Sequence, residues 1–286
     1  MKDDGLFLQW AHLYYLSKDD LRTVLATFQS VFPKMTVWSP LFSNDILLLG
    51  TKNTLSLDFS LLEEKFEAKK VKEDLSKIGI GELAQISGLF VLGEEQIGEL
   101  IDGARLHTDN YPLLEFSTPK SLGEETVGKN LELLLGVQEE PFSLFSELNS
   151  WQKNKIKEDL VLKENVFQGK IAITKQELEK SLDYFLKALE IDPDREQTKK
   201  EIASIYFYLA EELFNRDEIA KAKQALIESI KFDFEQPLAH LNLGAIYYQE
   251  GDFLNAGMEW RIAQELDPER PEIKKNLELL EKREIE

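Results

Sequence analysis

Two stretches near the C-terminus carry the strongest structural signal in the chain: residues 208–234, YLAEELFNRDEIAKAKQALIESIKFDF, and residues 242–268, NLGAIYYQEGDFLNAGMEWRIAQELDP. Aligned at their first residues, they are offset by 242 − 208 = 34 positions. A recurrence of similar residues at a fixed period predicts a repeat architecture, in which each unit buries its apolar face against the next. Under the offset, small and large residues coincide: Leu209 with Leu243, Ala210 with Gly244, Ala222 with Ala256, Leu226 with Trp260, and Ser229 with Ala263.

A period of 34 residues is typical of the tetratricopeptide repeat, which consists of two helices, A and B, joined by a turn. We expect Gly244 and Ala256 to be small because the two helices cross there at close range. The larger Tyr247 and Trp260 then fill the space around the crossing. Pro268 ends helix B, because proline cannot continue the helical hydrogen-bond ladder.

An earlier and weaker copy lies in SLDYFLKALEIDP, residues 181–193. Phe185, Ala188 and Pro193 have the same mutual spacing there as their counterparts in the last repeat. From Pro193 to Phe234 is 234 − 193 = 41 residues, seven more than one period. We therefore expect helix A of the second repeat to be longer by about two turns.

The C-terminal half is thus predicted to be an all-α solenoid. Residues 151–286 are expected to hold about three tetratricopeptide repeats, with PEIKKNLELLEKREIE at the end as the solvating helix that repeat arrays need. Residues 125–150 are predicted to be a linker, and residues 1–124 a separate α/β domain.

Helix A of each repeat is expected to line a concave groove. No Lys or Arg stands at the predicted groove positions, although a site that clamps an acidic peptide terminus needs charge-assisted donors. The apolar and aromatic side chains instead favour an apolar or helical segment of a partner protein. Alternatively, they pack against the chain's own N-terminal half or against the 151–168 helix. The predicted groove residues are Phe207, Glu211, Phe214, Asn215, Leu238, Leu241, Ala245, Tyr248 and Gln249.

Composition excludes several classes of function. The chain has 286 residues and a net charge of −19, which does not suit electrostatic binding to nucleic acid or to an anionic membrane. It contains no cysteine, so disulfides, zinc–thiolate sites and cysteine nucleophiles are excluded. Neither a membrane-spanning run nor a signal peptide is apparent, so we expect a cytoplasmic protein, associated with a membrane only through an upstream or partner segment.

The N-terminal part shows α/β patterning. Strands are predicted near residues 5–10, 35–38 and 45–49. A helix is predicted over Ser17–Phe32 from apolar residues spaced i, i+3, i+4 and i+7, with Ser17 as its N-cap. Residues 61–78, 83–92 and 94–100 are expected to be helical. The whole chain is therefore predicted to be α+β, with an α/β segment followed by the helical solenoid.

Three motifs give the N-terminal half a specific resemblance: QWxxLYxLS at residues 9–17, NDxLLLG at 44–50 and TDxYPLLEFSxP at 108–119. Residues 5–122 resemble the C-terminal part of bacterial spermidine synthase-like proteins. The resemblance implies a methyltransferase-like sheet in which GLFLQW is the fifth strand and the next two strands are the last. The strands that would carry the donor-binding glycine-rich turn and the catalytic aspartate are absent, and no GxGxG-type loop follows a strand. A missing parallel neighbour would leave an exposed apolar strand edge.

The resemblance also implies a site residue, Gln9, which matches a glutamine near the polyamine site of true spermidine synthases. The acidic residue that usually follows is replaced by Trp10, Ala11 and His12, which favours a structural role for Gln9. Asp109 and Glu115 are expected to act in turns or caps.

The three histidines, His12, His107 and His240, lack metal-ligand spacing. No catalytic residue, metal or cofactor is predicted from the residues alone.

Two functions follow. The first is a non-catalytic scaffold that binds a protein or peptide through the repeat groove and carries a truncated synthase-like module. The second is the C-terminal portion of a spermidine synthase-like aminopropyltransferase or methyltransferase, whose donor-binding half is upstream or in another chain. Whether the protein is an enzyme is therefore left open at this point.

Overall fold

The computed structural model describes residues 5–284, which fall into two compact units. The first unit extends to residue 177 and also includes residues 187–193. The second comprises residues 178–186 and the chain from residue 194 onward.

The first unit is an α+β assembly. Its strands are β1 (Phe7–His12), β2 (Lys34–Trp38), β3 (Asp45–Thr51), β4 (Leu57–Asp58), β5 (Phe90–Leu92) and β6 (Phe145–Ser146). Its helices are α1 (Lys18–Val31), α2 (Phe59–Phe66), α3 (Lys69–Ser76), α4 (Leu83–Gly88), α5 (Glu94–Ile101), α6 (Leu113–Ser117), α7 (Val127–Leu135) and α8 (Ser150–Thr174), with short 3-10 turns at Thr118–Ser121 and Pro141–Leu144.

The main sheet has four strands in the order β1-β3-β2-β5. All three pairings are antiparallel, and the first runs from Phe7 opposite Gly50 to His12 opposite Asp45. Because β1 and β2 both pair antiparallel with β3, they run in the same direction on either side of it. Helix α1 carries the chain from one to the other. A separate parallel pair is formed by β4 and β6.

Helix α1 begins at the residue that its sequence indicates. The Ser17 hydroxyl accepts a hydrogen bond from the Asp20 backbone N–H at 3.1 Å, and the Asp20 carboxylate accepts one from the Ser17 N–H at 3.2 Å. This reciprocal capping box satisfies two donors that the first helical turn leaves unpaired. Leu21 and Leu25 on the same helix are fully buried, as the apolar spacing predicts.

Two elements differ from the sequence-based prediction. Residues 83–92 were expected to form one helix, but α4 ends at Gly88 and Phe90–Leu92 form β5, the fourth strand of the sheet. The predicted helix over residues 61–78 is two helices, α2 and α3, separated at Glu67 and Ala68. In the first case the apolar run continues through both elements, so its periodicity does not mark the change from helix to strand.

The segment 125–150 is not a linker. It contains α7, in which Leu131 and Leu134 are fully buried. The buried Asn130 side-chain amide donates to the backbone carbonyls of Leu13 and Leu16, both at 2.8 Å. These buried apolar and polar contacts make the segment part of the first unit.

The second unit is a helical solenoid. Its helices are α9 (Leu178–Ile191, of which residues 178–186 belong here), α10 (Glu196–Asn215), α11 (Ile219–Phe232), α12 (Pro237–Gln249), α13 (Phe253–Leu266) and α14 (Pro271–Glu284). Helix α10 has 20 residues and α12 has 13, so the predicted lengthening of helix A by seven residues is confirmed.

The turns inside the two helix pairs share one backbone feature. Asp217, after α10, has φ of +63°, and Gly251, after α12, has φ of +80°. These two positions are 34 residues apart, one repeat period. The left-handed conformation lets the chain reverse within a short turn, and glycine adopts it without the strain that a side chain adds.

Candidate functional site

The candidate site depends on the close crossing of α12 and α13. A Cβ atom placed on Gly244 would lie 2.5 Å from two atoms of the Trp260 ring, so only glycine leaves room for that ring. The Trp260 indole N–H donates to the Leu241 backbone carbonyl at 3.0 Å, and the side chain is 2% exposed. This packing fixes the face that α12 turns toward α10 and α11.

A cavity of about 350 Å³ lies between α10, α11 and α12. Its apolar lining comes mainly from Ala210, Ala222, Leu226 and Ile246, all of which are buried. Glu211, Asn215 and Asn242 supply its polar groups, and the Phe214 ring is 42% exposed. The nine lining residues are Ala210, Glu211, Phe214, Asn215, Ala222, Leu226, Asn242, Ala245 and Ile246.

Four of the predicted groove residues line this cavity: Glu211, Phe214, Asn215 and Ala245. They come from the end of α10 and the middle of α12, and Glu211 and Ala245 occupy equivalent positions, one 34-residue period apart. A role for these residues in binding remains a prediction.

The other predicted groove residues lie elsewhere. Leu241 is 8% exposed and belongs to the core beneath α13, because its turn of α12 faces Trp260. The Tyr248 ring packs on Phe253 and Trp260, with centroid distances of 5.2 and 5.6 Å. Phe207 is half-buried beside the core of the preceding repeat, whereas Leu238 and Gln249 are exposed outside the cavity.

Sequence analysis missed Asn242. Asn242 precedes Ala245 by three residues and therefore lies on the same face of α12. Its counterpart in the preceding repeat is Tyr208, 34 residues earlier. An amide next to small, buried residues in a helix A could have indicated this position.

The cavity is acidic and its polar groups are free. Among the residues that line it, none is Lys or Arg. Within residues 5–284, the side chains of Glu211, Asn215 and Asn242 make no hydrogen bond or ion pair with another residue. The nearby cation Lys223 is engaged elsewhere: it contacts the Glu250 carboxylate at 2.5 Å and lies 4.2 Å from the Tyr247 ring centroid. The hydrogen bond to Glu250 raises the pKa of Lys223, which keeps it charged and paired.

His240 has a structural position in the second unit. It is 1% exposed, with Nδ1 2.6 Å from a Glu259 carboxylate oxygen and Nε2 3.0 Å from the Phe234 backbone oxygen. Both ring nitrogens are therefore engaged in tying α12 to α13 and to the turn before α12.

In the first unit, Gln9 lines an open cavity of about 490 Å³ beside β1. Its side-chain amide donates to the Trp10 carbonyl at 2.8 Å. His12, in the same cavity, stacks on Tyr14 with a centroid distance of 4.4 Å. His107 lies in a loop, where its Nδ1 accepts from the Leu114 N–H at 3.2 Å.

A buried lysine is the clearest feature that sequence analysis missed. Lys163 on α8 is fully buried, and its ammonium group donates to the Phe90 backbone carbonyl. Burial disfavours the charged form and lowers the pKa of Lys163 to about 7, although Glu164 acts in the opposite direction. No cavity described here reaches Lys163, so we assign it no chemical role.

Comparison with known proteins identifies part of the chain. A family model described as "Tetratricopeptide repeat" matches residues 165–195. This segment is therefore similar to a tetratricopeptide repeat. The match covers the end of α8 and all of α9, where the sequence shows its weaker copy.

Solved structures that are similar to this chain include tetratricopeptide-repeat domains. The crystal structure of MamA is 18% identical and covers 41% of this chain and 84% of its own, with a TM-score of 0.28. The Arabidopsis OM64 TPR domain is 16% identical, and the similarity covers 43% of this chain and 96% of that domain, with a TM-score of 0.30. The first TPR of Spaghetti (RPAP3), bound to the HSP90 peptide SRMEEVD, is 20% identical. The similarity covers 46% of this chain and 95% of that domain, with a TM-score of 0.30.

No curated protein matches the chain. None of these comparisons supports the resemblance of residues 5–122 to spermidine synthase-like proteins. In the part of the chain that the structure describes, no helix combines the length and the apolar character needed to span a bilayer.

Proposed function

We propose that this protein is a non-catalytic scaffold that binds a segment of another protein in the cavity between α10, α11 and α12. One observation carries the proposal: buried apolar side chains form the inner lining of an open cavity whose polar side chains have no hydrogen-bond partner among residues 5–284. A ligand that replaces water at these side chains gains about 0.5–1.5 kcal/mol for each hydrogen bond, and more at the charged Glu211. Ligand sites are commonly built in this way, from an apolar lining and a few convergent polar groups.

The lining specifies the chemistry of the segment. An apolar side chain of the partner fills the space above Ala222, Leu226 and Ile246, and the exposed Phe214 ring covers it. The amides of Asn215 and Asn242 can bond peptide groups or polar side chains of the segment. Glu211 favours a cation, because a charge-assisted bond to a carboxylate is about twice as strong as a neutral one. We therefore propose an apolar or helical segment with a Lys or Arg next to its apolar anchor.

A peptide-display selection on the immobilised full chain tests this function. We expect enriched peptides to share an apolar residue flanked by Lys or Arg, and to lose binding when Ala245→Trp fills the cavity. The matched control is Ala220→Trp, since Ala220 is exposed on α11 and outside the cavity. Equal affinity of the selected peptides for both variants, or no enrichment, would contradict the proposal.

The charge of the site is tested separately with Glu211→Lys. A basic selected peptide should bind this variant at least about tenfold more weakly, since charged pairs at interfaces contribute more than one kcal/mol. The acidic peptide SRMEEVD should show the opposite preference. If basic peptides bind the wild type and Glu211→Lys equally well, Glu211 does not select the partner.

The second candidate function is that of the C-terminal portion of a spermidine synthase-like aminopropyltransferase or methyltransferase. The position of Gln9 on the wall of the cavity of about 490 Å³ favours it. In this case the chain would supply the polyamine side of a site whose donor half is upstream or in another chain. Calorimetric titration with spermidine should then show binding that Gln9→Ala abolishes. Spermidine heat that is the same in wild type and Gln9→Ala would reflect only the net charge of −19 and would contradict this candidate.

A further inference from the structure

Strand β1 is an open and apolar edge of the main sheet. Among residues 5–284 its one strand partner is β3, whereas β5 at the opposite edge is completely buried. Four large apolar side chains at this edge are exposed to between 42% and 60%: Leu6, Phe7, Leu8 and Trp10. Exposed apolar side chains on a strand with one unpaired edge are the usual mark of an interaction surface.

The backbone phase of β1 follows from two hydrogen bonds. The Leu13 N–H donates to the Asn44 carbonyl at 2.8 Å, and this pair continues the register of β1 with β3. In an antiparallel ladder, alternate residues direct both backbone groups to the same neighbour. Odd-numbered residues of β1 therefore bond β3, whereas Leu8, Trp10 and His12 direct their N–H and carbonyl groups to the open edge.

The second hydrogen bond agrees with this phase. The Trp10 carbonyl accepts the Gln9 side-chain amide at 2.8 Å, as expected of an acceptor that is directed away from β3. A row of three residues that direct backbone donors and acceptors outward matches another extended strand, which would displace the Gln9 amide from the Trp10 carbonyl.

The strand itself lacks two of the features with which proteins prevent edge-to-edge pairing, although Leu114, Thr118, Pro119 and Leu122 lie beside it across the open cavity. From Gly5 to Leu16 the sequence contains no Lys, Arg, Asp, Glu or Pro. Charged side chains and proline are the usual blocks on such a strand. Although the chain carries a net charge of −19, residues 5–16 themselves bring no carboxylate into such a pairing.

We propose that this edge is a homodimer interface, in which β1 of one copy pairs antiparallel with β1 of a second copy. The dyad passes between the two Trp10 residues, and Leu8 of each copy lies opposite His12 of the other. In this register, each edge-facing residue of one copy lies opposite an edge-facing residue of the other, so their backbone groups can form hydrogen bonds. The two four-stranded sheets then form one continuous sheet of eight strands.

The exposed apolar area is comparable with that of a small specific interface. Tyr14 and Tyr15 extend the exposed surface beyond β1, with exposed fractions of 37% and 45%. If the dimer buried the exposed parts of Phe7, Trp10, Tyr14 and Tyr15 completely, these side chains of roughly 150–250 Å² each would contribute about 250–450 Å² per copy. Leu6 and Leu8 add to this area, so two copies together come close to about 1,000 Å², the lower bound for a specific interface.

Single cysteines test the pairing and its register, because the chain contains no native cysteine. Directly opposed residues in a bonded antiparallel pair have Cα atoms about 5.5 Å apart, within disulfide range. Full-length Leu8→Cys mixed with full-length His12→Cys should form a disulfide-linked dimer on mild oxidation. Neither variant alone should form one. Rapid linkage of each variant alone, or no linkage in the mixture, would overturn the proposal.

Solution mass gives an independent test. Light scattering should give the wild type a mass of twice 33.0 kDa. Trp10→Lys should raise the dimer dissociation constant by roughly thirtyfold or more, since it places two cations at the dyad and removes the central aromatic anchor. Leu254→Lys, at a 75% exposed position on α13, should leave the dimer intact. A wild-type mass of 33.0 kDa would overturn the proposal and leave the edge for a strand of a different polypeptide.

Discussion

The buried Lys163 predicts an unusual dependence of stability on pH. Its pKa is about 7 in the folded protein and 10.5 in the unfolded chain, because burial removes the water that stabilises the ammonium group. Between these two values the unfolded chain binds more protons than the folded one, so the free energy of unfolding rises with pH. Below the folded pKa the lysine is protonated in both states, and its full destabilising effect is present.

The magnitude follows from the two pKa values. A difference of about 3.5 units corresponds to at most about 5 kcal/mol across this window. Lys163→Met removes the buried ammonium but leaves the Phe90 carbonyl without its donor, at a cost of about 1–3 kcal/mol. We therefore expect the variant to be about 2–4 kcal/mol more stable than wild type below pH 7, and about 1–3 kcal/mol less stable above pH 10.5.

Urea denaturation followed by circular dichroism over this pH range measures the effect, with separate transitions fitted for the two units. The matched control is Lys153→Met, since Lys153 is exposed on the same helix. Its difference from wild type should not change with pH. The contrary result is a difference in the free energy of unfolding between Lys163→Met and wild type that stays constant from pH 6 to 11. Protonation of Lys163 would then not oppose folding, and the reasoning would be refuted.

Three further predictions concern local packing and turns. Gly244→Ala should destabilise the second unit by about 1–3 kcal/mol in thermal denaturation, because the added methyl overlaps the Trp260 ring; an unchanged midpoint would show that α12 and α13 can separate freely. Gly251→Ala should cost about 1 kcal/mol and Asp217→Gly should stabilise by up to about 1 kcal/mol, since both positions have positive φ; changes of the opposite sign in urea denaturation would contradict that assignment. Ser17→Ala should cost about 1 kcal/mol through loss of the α1 cap, and hydrogen exchange should quicken in the first turn of α1 but not in its last.

The repeat half was predictable in detail because its signals are local and repeated. The 41-residue separation of Pro193 and Phe234 predicts the longer α10, and the pairing of Gly244 with Trp260 needs only the helix period and residue sizes. The site was predictable in part. Glu211 and Ala245 follow from the repeat positions, but Leu241 faces the core because the rotation of α12 is fixed by Trp260, which sequence spacing does not specify.

The N-terminal half was less predictable because its pairings are distant in sequence. The strand Phe90–Leu92 joins β2 more than 50 residues away, and its three apolar residues fit a helix equally well in isolation. Lys163 is indistinguishable from exposed lysines of the same helix until the Phe90 carbonyl is placed beside it. Such features depend on tertiary contacts rather than on local propensity.

The central claim is that a partner segment binds between α10 and α12, and hydrogen exchange tests it most directly. Exchange of the full chain should be measured with and without a peptide selected on the wild type. The account predicts slower exchange in residues 207–215 and 238–249, and no such protection in the Ala245→Trp variant. Protection confined to other residues, or protection that persists in Ala245→Trp, would contradict the account.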